Sequence, residues 1–437
     1  INALEIDPKN ADAYFFLGIL AADHSNHSKA IELFDRAVRL ESAHARALVW
    51  KGRSLLTLNR RDQAIAAAEA AESLYPNDAH TLDTIGVLFS RAGLHNRALP
   101  LYQRSTQLAP EIANFHYNQA SALQFVGKME EARSAYKRVI SLDPKHPRAH
   151  AGLIQITPQT ADVNQISSLE DLYPTIANDA DAALNIGHAI AKAYDDIGQG
   201  SDALTWLHKA KVLKREQIAY SSKMAESIFS AAIESAEYET KSEGYQDASP
   251  IFITGMPRTG TTLTDRILSS HSAISASGEL SDFGIALKKL TRSAGPYVLD
   301  AETLKRSHEI DLYTLGENYM RRVEAITGNQ TARFTDKMPL NIFYAPIILR
   351  ALPTSRIICL QRHPADTVLS NYRQLFATSY SYYNYSYSLE NTALYYVQFD
   401  RMVRHFERVL PRDRFKVLSY ESLVNDIETE TQHLLNF

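Results

Sequence analysis

Between Ile251 and Leu263 the chain reads Ile-Phe-Ile-Thr-Gly-Met-Pro-Arg-Thr-Gly-Thr-Thr-Leu. A short apolar run, a loop bounded by Gly255 and Gly260, and a helical pattern after it predict strand, tight loop and helix N-terminus. That combination aims successive backbone N–H groups and the positive end of a helix dipole at one anion. Arg258 adds a fixed cation inside the loop, while Thr259, Gly260, Thr261 and Thr262 supply backbone donors. In the nucleotide-hydrolase loop, Gly-x4-Gly-Lys-Ser/Thr, a lysine follows the second glycine; here Thr261 stands in its place. The loop therefore lacks the usual cation for the outer phosphates of a triphosphate and suits a shorter anionic group. Alone it is a weak signal, and an ordinary turn is the alternative reading.

A hundred residues later the sequence offers a second candidate anion site, for which a surface arginine and a packed serine are the alternative reading. Arg356 to Leu360 reads as a buried strand, and Arg362 follows its end. Pro364 opens a helix, where its missing N–H costs little. Ser370 lies about two turns along that helix, so an arginine and a serine can converge on a second phosphate. Between the two sites, Thr335-Asp336-Lys337-Met338-Pro339 offers another cation, Lys337. Glu279, in Ser277-Gly278-Glu279-Leu280, follows an expected strand at Ile274 to Ser277 and is the candidate general base, with a capping or salt-bridging glutamate as the alternative. His271 is the second choice of base, as against a packed histidine at a helix end, and Asp282 is read as solvated. Ser379 to Ser388 holds five tyrosines and is read as a lid or acceptor wall, or as a strand edge.

The order Pro-Arg-x-Gly-Thr-Thr, Gly-Glu, Asp-Lys-x-Pro, Arg-x-Pro…Ser and Tyr-Glu-x-Leu-Val, the last at Tyr420 to Val424, resembles the tyrosylprotein-sulfotransferase-like branch of sulfotransferases that use 3′-phosphoadenylyl sulfate (PAPS). The resemblance spans residues 250–437. It implies an α/β, P-loop-like domain with a central parallel sheet, PAPS as co-substrate, PAP (adenosine 3′,5′-bisphosphate) as product and no required metal. By the same resemblance Arg258 and Thr259 to Thr262 hold the 5′-phosphosulfate, Lys337 meets the leaving bridging oxygen, Arg362 and Ser370 hold the 3′-phosphate, and Tyr420 supports the nucleotide. Tyrosylprotein sulfotransferases read Gly-Glu-Glu where this chain has a single glutamate, which leaves the base and the acceptor open. Tyrosine in a protein or peptide, a saccharide, a lipid or a small molecule all remain acceptors. The resemblance also implies a closing segment past Phe437, so the domain is expected to be C-terminally incomplete.

The elements ahead of this domain are helical and repetitive. Pro8, Pro76, Pro110 and Pro144 fall on a 34-residue lattice, with Ser42 in the missing slot. Gly18, Gly52, Gly86 and Ala120 keep one small slot, and Ala30, Ala64, Ala98 and Ala132 another. Phe34, Tyr102 and Tyr136 fill a large slot from which Ala68 departs. Small residues let paired helices approach, and a ring fills the space beside them. Such hairpins must stack to bury their apolar faces. Residues 1–150 thus resemble a tetratricopeptide repeat (TPR) array. Residues 151–237 read as degenerate repeat-like helices, with Pro158 and Pro174 as punctuation, a further hairpin around Ala191, Ala203, Leu207 and Ala210, and one more helix over 211–238. Residues 238–250 read as a linker, and 251–437 as the sulfotransferase domain. The expected fold is multidomain: an all-α solenoid, then an α/β domain.

Bulk properties bound the partners. A chain of 437 residues exceeds one ordinary domain, and 45% hydrophobic residues suffice for packed cores. The net charge of −4 implies no nucleic-acid partner, and no apolar run is long enough to span a membrane. The one cysteine, Cys359, reads as a buried thiol, in keeping with a cytoplasmic location. The chain starts with Ile1 and is read as trimmed. The array's concave groove is expected to take a protein or peptide, with Asn114, Tyr117 and Asn118 as lining candidates; a scaffold or homo-oligomer contact is the alternative. Two competing functions are a P-loop kinase and a binding scaffold with a decayed catalytic half.

Overall fold

A computed structural model describes residues 7–58, 60–218, 220–239, 242–246, 250–295, 297–327, 333–376 and 381–437. The chain divides into two compact units, Ile1–Ala210 and Lys211–Phe437.

The first unit is built from helical hairpins: α1 (Ala11–Asp23) with α2 (His27–Leu40), α3 (Ala45–Thr57) with α4 (Arg61–Glu72), α5 (Ala79–Arg91) with α6 (His95–Leu108), and α7 (Ala113–Phe125) with α8 (Met129–Leu142). The lattice of small residues is where helices touch. A Cβ on Gly18 would lie 2.5 Å from the Phe34 ring, and one on Gly86 2.7 Å from Tyr102. Ala68 leaves its hairpin without a ring, and Leu88 of α5 fills the gap, 2.6 Å from a Cβ on Gly52. Helix starts recur on the same lattice: His44, Asp78 and His146 each accept a hydrogen bond from the backbone N–H three residues on, which satisfies a donor the helix leaves open.

Four more helices follow: α9 (Pro147–Ile156), α10 (Ile166–Ile176), α11 (Ala180–Asp196) and α12 (Gly200–Gln217). Pro174 does not punctuate the chain; it sits inside α10, whose run continues to Ile176. The further hairpin is α11 with α12, where a Cβ on Gly187 would lie 2.4 Å from that of Ala210. The stretch 211–238 is not one helix. Helix α12 runs through to Gln217, and α13 (Ser222–Ser235) starts anew after Ser221, whose hydroxyl accepts the Met224 N–H.

Of the linker, residues 240, 241 and 247–249 lie outside the described residues. The described part is pinned to the second unit: Tyr245 N–H donates to the Ala351 carbonyl at 2.8 Å, and Leu312 N–H to the Ser242 hydroxyl at 2.9 Å.

The second unit wraps a five-stranded sheet of β1 (Ile251–Gly255), β2 (Ile274–Ala276), β3 (Arg333–Asp336), β4 (Arg356–Gln361) and β5 (Phe415–Ser419), in the order β2-β3-β1-β4-β5, every pair parallel. Parallel sheets are covered on both faces, so their strands read as apolar runs. Alternation sends Phe252, Ile357 and Cys359 to one core, with Phe283, Tyr319 and Phe406, and Ile251, Ile253, Ile358 and Leu360 to the other, with Leu268 and Leu418. The covering helices are α14 (Thr261–Ser269), α15 (Asp282–Thr291), α16 (Ala301–Lys305), α17 (Leu312–Thr327), α18 (Ala345–Ala351), α19 (Pro364–Arg373), α20 (Leu389–Val409), α21 (Tyr420–Asn425) and α22 (Ile427–Asn436). Among the described residues no helix is long and apolar enough to cross a membrane.

Parallel strands end on one edge of the sheet, and ligands of such folds bind beyond that edge. Each of the five strands here releases a candidate residue there. Glu279 follows β2, Lys337 follows β3, the Met256–Gly260 loop follows β1, Arg362 follows β4 and Tyr420 follows β5.

Candidate active site

The loop after β1 is bent where its glycines fall. Gly255 has φ +143°, and a Cβ there would lie 2.6 Å from the Leu360 carbonyl of β4. Gly260, at φ +101°, precedes the first turn of α14. Arg258 is left-handed at φ +70°, a conformation that costs a non-glycine residue about 1–3 kcal/mol and needs its surroundings to hold it. Part of that hold is local: the buried Thr259 hydroxyl donates to the Met256 carbonyl at 2.7 Å. The Arg258 side chain is exposed, as is Thr262, while Thr261 is buried.

Arg362 reaches this loop. One terminal nitrogen donates to the Arg258 carbonyl at 3.3 Å, and the other lies 3.6 Å from Asp366. The guanidinium also covers the Tyr420 ring, 4.8 Å from its centroid, and its Nε is buried with no hydrogen-bond partner among the described residues. Tyr420 meets the loop as well, since a Cβ on Gly260 would sit 2.5 Å from its ring. The ring thus lies between a loop glycine and the Arg362 guanidinium. Ser370 is half-buried on α19 and, among the described residues, makes no polar contact with Arg362.

Glu421 braces the same corner, which its place in the Tyr-Glu pair did not reveal. Its carboxylate accepts the His363 N–H at 2.8 Å and the Ser419 hydroxyl at 3.1 Å. Partial burial works to raise its pKa. The His363 N–H, its own N–H, Ser419 and the Arg362 charge outweigh that and hold the carboxyl below its ordinary range.

On the other side of the loop, Lys337 and Glu279 form an ion pair, Nζ to Oε1 2.5 Å, with the ammonium largely buried and the carboxylate exposed. The backbone sets this pair. Ser277 N–H donates to the Thr335 carbonyl and Lys337 N–H to the Gly278 carbonyl, both at 2.9 Å. Gly278 takes φ +74° at the turn. Beneath them the fully buried Asp336 accepts from Tyr319 Oη (2.8 Å), Asn341 Nδ2 (3.2 Å) and the Leu280 N–H (3.4 Å). Burial pushes its pKa up to about 8 despite those donors. Asp336 and Tyr319 were not singled out as site residues in the sequence, because only the fold brings α17 under this turn.

Three expectations change. Asp282 is not solvated; it pairs with Arg322 at 2.8 Å and is mostly buried. His271 is exposed, its Nδ1 accepting the Ala273 N–H in a turn, so it is not a packed histidine. The tyrosine stretch is no strand: residues 381–387 form a 3-10 helix with Tyr385 and Tyr387 buried, and Tyr382 Oη accepts from the Val298 and Leu299 N–H groups. Residues 379 and 380 lie outside the described residues.

A glycine-bounded loop, a guanidinium anchored on it, and a lysine–glutamate pair, all on one sheet edge, can hold an anion and move a proton. Comparisons with known proteins agree with that chemistry. Residues 250–437 match the model described as sulfotransferase family, and residues 2–44, 17–79 and 113–146 match tetratricopeptide repeat models. An uncharacterized protein of Aquifex aeolicus (strain VF5) is 28% identical over 324 residues, covering 72% of this chain and 42% of that protein. The chain thus spans less than half the length of this relative. Anaphase-promoting complex subunit 3 of Schizosaccharomyces pombe is 24% identical over 158 residues, 36% of this chain and 24% of the relative. Among solved structures, YrrB, a TPR protein with an unusual peptide-binding site, overlaps 47% of this chain and 95% of its own at 20% identity and TM-score 0.33. A MamA fragment from Desulfovibrio magneticus RS-1 overlaps 48% and 97% at 16% identity and TM-score 0.32. Residues 250–437 are therefore a sulfotransferase-family domain, and tetratricopeptide repeats precede it in the chain.

Proposed function

We propose that the chain transfers a sulfuryl group from PAPS to a hydroxyl acceptor, tyrosine of a protein or peptide being one candidate among several. The observation that carries the proposal is the hydrogen bond from Arg362 to the Arg258 carbonyl. It supports a reading in which Arg362, proposed for the 3′-phosphate, acts beside the loop proposed for the 5′-phosphosulfate. The residues fit such a ligand: Arg258 and Gly260 take positive φ in the loop, and the buried Nε of Arg362, which has no hydrogen-bond partner among the described residues, retains a donor.

In this scheme Arg258 and the backbone of Thr259 to Thr262 hold the 5′-phosphosulfate, and Arg362 with Ser370 holds the 3′-phosphate against Tyr420. The acceptor oxygen attacks sulfur in line, its proton passes to Glu279, and the bond from sulfur to the bridging oxygen breaks. Lys337 stabilises the charge that develops there, and PAP leaves. Such a displacement depends on positioning and charge stabilisation. The Lys337–Glu279 pair holds both groups side by side before the substrates separate them.

The repeats take a protein or peptide partner in the same scheme. The first helices of successive hairpins offer polar groups for it. Asn118 donates to Asp83 at 2.9 Å, and Arg148 covers the Tyr117 ring.

Thermal-shift titration tests the nucleotide assignment. PAP is expected to raise the melting temperature with no metal added, and ATP with magnesium is not. The reverse pattern would replace the transferase with a kinase.

A further inference from the structure

The cradle's donors are backbone groups, and something must keep them turned toward the anion. A trans peptide unit is planar, so its carbonyl and the next N–H point in opposite directions. Every peptide bond described here is trans. Whatever grips a loop carbonyl from behind therefore aims the following N–H forward.

Two carbonyls in succession are gripped this way, both from the segment that carries α19. Arg362, just before the helix, donates to the Arg258 carbonyl and so orients the Thr259 N–H. Asn371, in the last turn of the helix, donates through Nδ2 to the Pro257 carbonyl at 2.8 Å and so orients the Arg258 N–H. Arg362 belongs to the anion site already. Asn371 does not: it is fully buried, and nothing in the site chemistry uses it.

The Asn371 amide is held in one orientation. The second hydrogen of Nδ2 goes to the Thr367 carbonyl at 2.9 Å, and Oδ1 accepts from Tyr385 Oη at 2.9 Å. Flipping the amide would set its oxygen against two carbonyl oxygens, so the Tyr385 hydroxyl fixes which end faces the loop. Tyr385 is itself immobilised: it is 1% exposed, stacks on Tyr395 at 4.0 Å, and its carbonyl accepts the Thr392 hydroxyl at 3.2 Å. The next carbonyl, that of Ser386, accepts from the buried Lys211 ammonium at 2.8 Å, which also lies 4.7 Å from the ring of Tyr372, the neighbour of Asn371.

We infer that Asn371 is a positioning residue for the phosphate loop, locked by Tyr385, which holds the Arg258 N–H toward a bound 5′-phosphate or phosphosulfate. The role assumes the anion site proposed above and adds to it a group that never touches the ligand.

The inference separates ligands by which end they carry. Calorimetric titration of the whole chain would compare PAP with adenosine 3′-monophosphate, which lacks the 5′-phosphate. Asn371→Leu is expected to weaken PAP about tenfold, the loss of roughly one oriented donor to a charged group, while leaving the 3′-monophosphate within twofold. Tyr385→Phe keeps the ring and removes only the hydroxyl; it covers the case in which the leucine variant does not fold, and is expected to act in the same direction by a smaller factor. If both ligands weaken equally, or neither changes in either variant, Asn371 is a packing residue and the inference is wrong. Failure of the unsubstituted protein to bind PAP would instead remove the nucleotide assignment itself.

Discussion

Tyr420 shows how much a single side chain can decide. Its ring lies between Gly260 and the Arg362 guanidinium, so its contribution is thickness and a π face, not its hydroxyl. Tyr420→Phe is therefore expected to bind PAP within about twofold of the unsubstituted protein. Tyr420→Ala removes the face and lets Arg362 collapse, at about 1 kcal/mol or more, a fivefold or larger loss by calorimetry. Equal losses in the two variants would make the hydroxyl the important group. Glu279 makes the opposite kind of prediction. The Glu279→Gln variant keeps PAP affinity while turnover falls by about 10²–10⁴; retained turnover would move the base elsewhere. At this scale the sequence was informative about the turn after β1, because Gly255 and Gly260 stand where the backbone takes positive φ. It was silent about Asn371 and Asp336, whose importance lies in which backbone group they face, a relation that spacing along the chain does not encode.

Elements were legible where periodicity is strong. The 34-residue lattice named the helix contacts of the first unit, since Gly18 and Gly86 each meet the ring that the lattice assigns them. The gap in its large slot, Ala68, was legible as a departure but not as a solution, because Leu88 comes from the next hairpin. Leu88 is 1% exposed, and Leu88→Ala is expected to destabilise the first unit by about 2–5 kcal/mol, read as a lower unfolding midpoint in urea. A change under 0.5 kcal/mol would mean that Gly52 has room to spare. Short elements were harder. The break at Ser221 between α12 and α13 is a capping serine in a stretch otherwise helical in composition. The 3-10 turn at 381–387 reads as alternation because three residues per turn and two per strand are not separable over seven residues. The parallel sheet, by contrast, was implied by the resemblance to sulfotransferases, and its strand ends bring five separated motifs to one edge.

At the scale of the whole chain, each unit has a separate apolar core, one around Leu82, Phe89 and Tyr102 and another around Phe252, Phe283 and Phe406. A ligand that binds only the native second unit stabilises that unit by mass action, about 2.7 kcal/mol at a hundredfold excess over Kd. If PAP raises an unfolding transition, that transition is the one assigned to residues 211–437, and its pH dependence is then followed separately. Lys211 should dominate one part of that dependence. It is 2% exposed, and burial lowers its pKa from the usual lysine value to about 7. Below pH 7 the ammonium is charged in both native and unfolded chains, and its desolvation weighs fully against the fold. Between about pH 7 and 10.5 the unfolded chain binds more protons than the native one, so stability rises with pH through that window. Lys211→Met removes the titration and keeps most of the volume. The midpoint difference between Lys211→Met and the unsubstituted protein, measured in the PAP-sensitive transition, is expected to favour the variant most at pH 6. It should shrink steadily by pH 9 as the native lysine gives up its proton. A difference that stays constant from pH 6 to 9 would show that the Ser386 carbonyl and the Tyr372 and Tyr387 rings hold the charge as well as water does, and that no proton is released from Lys211 across this range.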